Sequence, residues 1–374
     1  METIMPHTPI KEYELKQHSP IIHFQYDQNN ATLRATDLKP RLDELLDNKG
    51  HKKRYKLRII NEGDHVKKTR PHSMYFGKLK KSNAMLFFDN VKLQVNTFFN
   101  KTLAMEIEQA LPICFAYNNF GARKSKGFGS FFVKNTSIEQ IYKNNKCKHA
   151  VYCFDKNPAW EAFDQIDALY KAMKPGVNVD GFYNKSLLWK FFHNEYNLFN
   201  WEKRLLKLNI INRSIDLKEM KNFYIRGLLG LANNYFFKDL IETQLDSEYS
   251  DNEIFKLKNG PANFKVTHKN NKIKRFESPV TFKPINDKIY IILRNDKYEH
   301  DRLKIKGEHF DFYPNFKTKK NYAYLKKLWL TIPKDFSLEK FMNFVCIEIN
   351  ENNFMNSNSS TANILKNMNI YRIN

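Results

Sequence analysis

Apolar and polar positions alternate in part over residues 13–23 and break at Ser19 and Pro20, which predicts a first strand with a bend or an edge position. After a polar turn at 27–30, Leu38, Leu42, Leu45 and Leu46 fall on one helical face. Thr36 or Asp37 can cap that helix, Pro40 suits its first turn and Gly50 closes it. Residues 55–60 read as a strand followed by a turn at 61–64, and residues 85–88 and 91–99 as strands joined at Asp89 and Asn90. Residues 102–111 are expected to form a short helix or an extended connection, and residues 131–133 a further strand. Strand, helix, strands, helix, strand is an α+β order close to the ferredoxin-like arrangement. This first unit is expected to cover residues 1–155.

The second half, residues 156–374, reads as helix-rich. Phe163, Ile166, Leu169, Tyr170 and Met173 repeat at helical spacing until Pro175 and Gly176 stop the run. Further helices are expected from Ser186 onward and over residues 225–240. Residues 275–293 alternate about Asn286 and Asp287 and predict a hairpin. Residues 336–349 suggest a helix then a strand, and the Asn- and Ser-rich stretch 350–362 a loop.

With 42% hydrophobic and 14% aromatic residues, the chain is far from the profile of a disordered one, and 374 residues suit two packed units or one elaborated fold. Charge changes the picture most. Lys and Arg number 62 against 40 Asp and Glu, a net charge of +22. A genome-wide bias toward Lys and Asn would raise the first number without depressing the second, and unbalanced charge repels itself, so an anionic partner is expected. No apolar run of 18 residues exists, and the N-terminal stretch lacks a basic region followed by an apolar core, so a cytoplasmic protein is expected. Cys114, Cys147, Cys153 and Cys346 form no C-x2-C pair, and Cys147, His149 and Cys153 fit no zinc spacing. Neither a metal nor another cofactor is expected.

Residues 49–81 hold twelve Lys or Arg against two acids, among them Lys52, Lys53, Arg54, Lys67, Lys68 and Arg70, with His51, Tyr55, His72 and Tyr75 interleaved. Cations with stacking partners are what a single-stranded nucleic acid binds. The sharpest feature is the run Gly121, Ala122, Arg123, Lys124, Ser125, Lys126, Gly127, Phe128, Gly129. Its glycines permit positive φ and close backbone approach, its successive amides can form an anion site, its cations can neutralise phosphates, and Phe128 can offer a ring to a base. The glycine spacing is wrong for a dinucleotide fingerprint, the next segment reads as a strand, and no Gly-Lys-Ser or Gly-Lys-Thr leads into a helix as in a P-loop.

The stretch from Phe120 to Ser130 resembles the glycine-rich loop of the RAMP superfamily of CRISPR systems: glycine, small residue, arginine, basic or hydroxyl residues, then glycine, aromatic, glycine. Thr32, Leu33, Arg34, Ala35, Thr36, Asp37, Leu38, Lys39, Pro40 and Arg41 resemble the family's approach to its first helix, with Pro40 where glycine is usual. Residues 275–282, from Arg275 through Ser278 and Pro279 to Phe282, are similar to a Ser-Pro strand in the second half of the end-cap subunit of the type III-B Cmr complex. The resemblance implies one or two ferredoxin-like, RRM-like units, a loop lying on RNA backbone, crRNA or target RNA and other CRISPR effector subunits as partners, and a role in antiviral defence. Arg34, Lys39, Arg41 and residues 51–81 would join the loop in that grip. A metal-independent repeat-RNA endoribonuclease is the rival reading, with His18, His23, His51 or His72 as base.

Overall fold

The computed structural model describes residues 10–22, 32–46, 54–61, 87–88, 90–144, 149–179, 182–202, 205–206, 222–231, 234–238, 241–242, 255–256, 263–270, 273, 276–295, 305–315, 328–354 and 359–374. The elements of the first third are β1 (Ile10–Gln17), α1 (Ala35–Leu46), β2 (Lys56–Asn61), β3 (Val91–Asn96), α2 (Lys101–Tyr117) and β4 (Phe131–Val133), followed by α3 (Ile138–Lys143). Strands pair in the order β2-β3-β1-β4, antiparallel throughout. This is the ferredoxin-like βαββαβ topology. Period-two burial sets the register: Val91, Leu93 and Val95 face inward from β3. Leu15 of β1, Leu38 and Leu42 of α1, and Ile107, Leu111 and Phe115 of α2 join them in one core. Each such fully buried side chain contributes about 1.5–3 kcal/mol relative to exposure.

The chain continues through β5 (Val151–Asp155), α4 (Ala162–Met173), β6 (Val177–Val179), β7 (Phe182–Asn184), α5 (Leu187–Tyr196), β8 (Asn234–Lys238), β9 (Ile241–Glu242), β10 (Phe255–Lys256) and β11 (Asn263–Lys269). Then come β12 (Val280–Ile285), β13 (Lys288–Leu293), β14 (His309–Asn315), β15 (Leu328–Thr331), α6 (Leu338–Asn350), α7 (Ser360–Lys366) and β16 (Tyr371–Arg372). A second four-stranded sheet has the order β12-β13-β5-β16, antiparallel throughout. Its connectivity repeats the first: β5, helix α4, two adjacent strands, helix α6, then β16 back beside β5. Inserts after α4 and after β13 supply the remaining strands, four of which form the sheet β15-β14-β11-β8. The fold is therefore α+β and ferredoxin-like. By compactness one unit comprises Met1–Asp167, Val280–Leu293 and Asn367–Asn374, and the other Ala168–Pro279 and Arg294–Lys366. Among the described residues no helix is long and apolar enough to cross a membrane.

Several elements differ from their sequence expectation. Residues 225–240 are not one helix but a 3-10 turn, Ile225–Leu229, followed by β8. Gly230 at φ +102 ends the turn, and Tyr235, Phe236 and Phe237, good strand formers, pair with β11. In α6 the β-branched residues near 347 suggest a strand, yet Leu338, Phe341, Met342, Val345 and Ile349 bury one helical face. Helix α1 starts at Ala35, which leaves Pro40 inside it, and α2 runs on to Tyr117 because Cys114, Phe115 and Ala116 are core residues. Helix α7 starts within the stretch expected to be a loop.

Strand β12 is buried along its whole length, and that includes Lys283, whose residue is 0% exposed. Its Nζ donates to Asn118 O at 3.0 Å, Asn119 Oδ1 at 3.1 Å and Phe131 O at 3.3 Å, so it stitches the second sheet to the end of α2 and to β4. Loss of water pushes its pKa down to about 7. Replacing Lys283 with Met leaves these acceptors without their donor, and chemical denaturation at neutral pH is expected to show a loss of about 1–3 kcal/mol.

Candidate nucleic-acid interface

The connection from α2 to β4 is the glycine-rich run, and its shape follows from two close approaches. Gly129, at φ +67, lies so near the opposite side of the loop that a Cβ there would sit 1.9 Å from Phe120 O. Gly121, at φ +80, would place one 2.7 Å from Ile22 O. Neither position accepts a side chain.

Hydrogen bonds then fix the loop from three directions. The Phe120 N–H donates to Gly129 O at 2.9 Å and closes the neck. On the β1 side, the amides of Ala122 and Gly129 donate to Ile22 O at 3.0 Å and Pro20 O at 2.9 Å. Ser19 Oγ donates to Gly127 O at 2.6 Å and accepts from the Ser130 N–H at 2.9 Å. From β12, the Phe282 N–H donates to Ser125 O at 3.1 Å, while Asn119 Nδ2 donates to Lys124 O at 2.7 Å and Phe282 O at 2.8 Å. Ser130 Oγ reaches Pro284 O at 2.8 Å. The amides of Lys126 and Gly127 turn back on Arg123 O and Lys124 O.

This bracing changes what the loop can do. Amides at 122, 126, 127, 129 and 130 already serve protein acceptors, so they do not form the open nest of successive amides expected from the glycine pattern. What the loop presents is side chains: Ala122 and Arg123 are exposed, and Lys124, Ser125 and Lys126 half-buried. Arg123 itself adopts φ +53 at the crest. Phe128 corrects a sequence expectation, since it is 0% exposed and its ring stacks on Phe163 at 4.0 Å and 11°. It anchors the loop in the core and offers no face to a base in this structure.

The cations at the start of α1 are matched to acids. Arg34 grips Asp37 through two nitrogens at 3.1 and 2.8 Å, Lys39 lies 3.5 Å from Asp43 and 3.3 Å from the Tyr55 ring centre, and Arg41 lies 3.2 Å from Glu44. Partly exposed pairs such as those of Arg34 and Arg41 are worth about 0–1 kcal/mol, whereas the Lys39 Nζ is itself buried. Of the basic arm, Arg54 is exposed, as are Lys56 and Arg58, and the spacing puts the three on one side of β2 and its approach. His51, Lys52, Lys53, Lys67, Lys68 and Arg70 lie outside the described residues, as do His23 and His72.

Sequence reasoning missed a cluster beside the loop. Lys16 Nζ donates to Asn286 Oδ1 at 3.1 Å, Lys156 Nζ donates to Asn286 O, and the Asn286 N–H donates to His18 Nδ1 at 3.2 Å. Lys16 and Lys156 thus converge on the turn between β12 and β13. Only that fold-level pairing brings them together, and no local motif announces it. Burial, followed by the charges of Lys283, Lys16 and Lys156, drives the His18 pKa down to about 3. His18 is therefore neutral at physiological pH, and far from the near-neutral pKa that suits a general base.

Two outcomes follow. Gly129→Ala must push the neck apart at a positive φ, and urea denaturation is expected to show a loss of about 2–4 kcal/mol. For His18, the unfolded chain takes up a proton near 6.5 that the folded chain refuses until about 3, so its contribution is intact above 6.5 and lost as pH falls toward 3. The melting temperature of His18→Gln, which keeps an acceptor without titrating, is expected to fall less steeply with acid than that of the parent chain.

Residues 10–56 and 46–177 match the family model described as the Cmr1 N-terminal domain, and residues 183–369 match that described as the Cmr1 C-terminal domain. Among solved structures, the apo crystal structure of Cmr1 from Pyrococcus furiosus aligns over 98% of this chain and 98% of its own, with 8% identity and a TM-score of 0.39. No curated protein matches the chain.

Proposed function

Since the chain belongs to the Cmr1 family, RAMP subunits of the type III-B CRISPR complex, we propose that it is a noncatalytic RNA-binding subunit of that effector complex, gripping crRNA, target RNA or both in antiviral defence. The observation that carries the reading is the glycine-rich loop, locked from both sides and holding Arg123 at an exposed crest. A cation held on a rigid backbone loses little freedom when a phosphate binds, and an arginine can meet that phosphate with two parallel hydrogen bonds. Lys124 and Lys126 on the same loop, and Lys16 and Lys156 beside it, extend the positive surface. With a net charge of +22 on the whole chain, the field favours a polyanion approaching from any side.

The noncatalytic part of the reading is supported by His18, whose lowered pKa and engaged Nδ1 make it a poor proton acceptor for a ribose hydroxyl. The test is a filter-binding titration of single-stranded RNA at several salt concentrations. Reversal of Arg123, Lys124 and Lys126 to Glu is expected to weaken binding by about a hundredfold or more, and to reduce the salt slope by about 2, at roughly 0.7 for each phosphate no longer neutralised. The same mixtures run on a denaturing gel are expected to show full-length RNA. Unchanged affinity in the triple variant would refute the grip, and a cleavage product would refute the noncatalytic assignment.

A further inference from the structure

Among the described residues, most non-glycine positions with positive φ are asparagines, the residue that tolerates that conformation best. The exceptions are Arg123, at the crest of the glycine-rich loop, and the consecutive pair Phe98 (φ +51) and Phe99 (φ +68). A bulky aromatic in the left-handed region costs about 1–3 kcal/mol, and such strain persists only where surrounding structure imposes it. Here Asn96 Oδ1 accepts from the Phe98 N–H at 2.9 Å, the Asn100 N–H donates to Thr97 O at 3.1 Å, and Asn100 Oδ1 caps α2 by accepting from Leu103 N–H at 2.9 Å.

What the strained corner achieves is exposure. Phe98 and Phe99 are 46% and 55% exposed, and Ile10, which lines the same cavity as Phe99, is 53% exposed. Between β1 and the start of α2 lies a cavity of about 310 Å³, walled by Tyr13, Val95 and Phe99, with Thr97 and Asn100 as polar lining. Lys11 and Lys101 stand at its edge, and Lys56 Nζ lies 5.7 Å from the Phe98 ring centre. No carboxylate lines the cavity among the described residues; Glu108 sits outside it, paired with Lys11 at 2.6 Å in an exposed and therefore weak contact.

We propose that this corner is a second RNA contact, in which Phe98 and Phe99 stack unpaired bases of a single strand while Lys11, Lys56 and Lys101 take its phosphates. Charge decides the occupant: apolar walls alone would suit a protein side chain equally, but a ring pair edged by lysines, with amide and hydroxyl groups inside, is the combination that binds unstacked bases. The corner sits at the Ile10 end of β1 and the glycine-rich loop beyond its Gln17 end, so the two lie about 20–25 Å apart along the strand, and one continuous strand of RNA can touch both. The proposal rests on the chain being an RNA binder, and its test separates the two claims.

Full-length protein is irradiated with an oligouridylate carrying thiouridine, and the adducts are mapped by mass spectrometry. Crosslinks are expected in the peptide containing Phe98 and Phe99, and they are expected to persist when Arg123, Lys124 and Lys126 are reversed to Glu. Phe99→Gly relieves the left-handed strain, so it is expected to raise the melting temperature by about 1–3 °C. It is also expected to lower RNA affinity about tenfold without changing the salt slope, whereas Lys101→Glu lowers the slope. Crosslinks at the glycine-rich loop with none at the corner overturn this proposal and leave the loop's role standing; crosslinks at neither overturn both. If Phe99→Gly leaves RNA affinity intact and instead loosens association with a neighbouring subunit, the corner is a protein docking surface and the proposal fails.

Discussion

The closest approach in the glycine-rich loop, where Gly129 folds back onto the carbonyl of Phe120, governs the rest of the region. Because no Cβ fits between them, the chain can cross itself there, and the crossing turns the segment between α2 and β4 into a closed ring of backbone. Every further brace acts on that ring. Ser19 and Pro20 hold it from the end of β1, Phe282 holds it from β12, Asn119 ties its neck to Phe282 O, and Phe128 plugs it into the core against Phe163. The ordering entropy of the loop is thus spent on folding, and Arg123 is carried on a backbone that is already fixed.

The electrostatics beneath the loop follow from the same packing. Lys283 enters a dry region with carbonyl oxygens as partners, and desolvation lowers its pKa. His18 is kept neutral, and Lys156 is itself pushed below the ordinary lysine range by burial. At the start of α1, Arg34 and Arg41 are each paired with an acid one turn ahead, and Lys39 lies 3.5 Å from Asp43.

How much of this is legible in the sequence depends on range. Local periodicity locates β1, α1, β3, α4 and the hairpin of β12 and β13, and the glycine run is visible as a motif before any fold exists. Phe128 is misjudged because an aromatic between two glycines looks the same whether it faces solvent or Phe163. Lys283 is invisible for a related reason: within a strand, one lysine reads as a solvated position, and only pairing across β12 and β13 shows that both faces are covered. In the 225–240 segment two signals conflict, since its apolar residues fit a helical face while Gly227, Gly230 and the aromatic run favour a turn and a strand. The left-handed Phe98 and Phe99 carry no sequence signal, as positive φ at phenylalanine is imposed by the neighbouring Asn96 and Asn100 contacts.

The repeated βαββαβ order explains why the loop is composite. In the first repeat it joins the second helix to the last strand, where a lone ferredoxin-like unit would leave it hanging from one sheet edge. Strand β12, the second strand of the other repeat, returns to this edge after more than a hundred residues and runs alongside Lys126 through the Phe282 bridge. The bond from Asn119 to Phe282 O and that from Lys283 to Asn118 O then span about 165 positions of sequence. Such contacts form late, because closing a long loop must precede them. The N-terminal repeat can therefore reach its own topology from local and mid-range pairings, while the rigidity of its glycine-rich loop depends on the second sheet being in place.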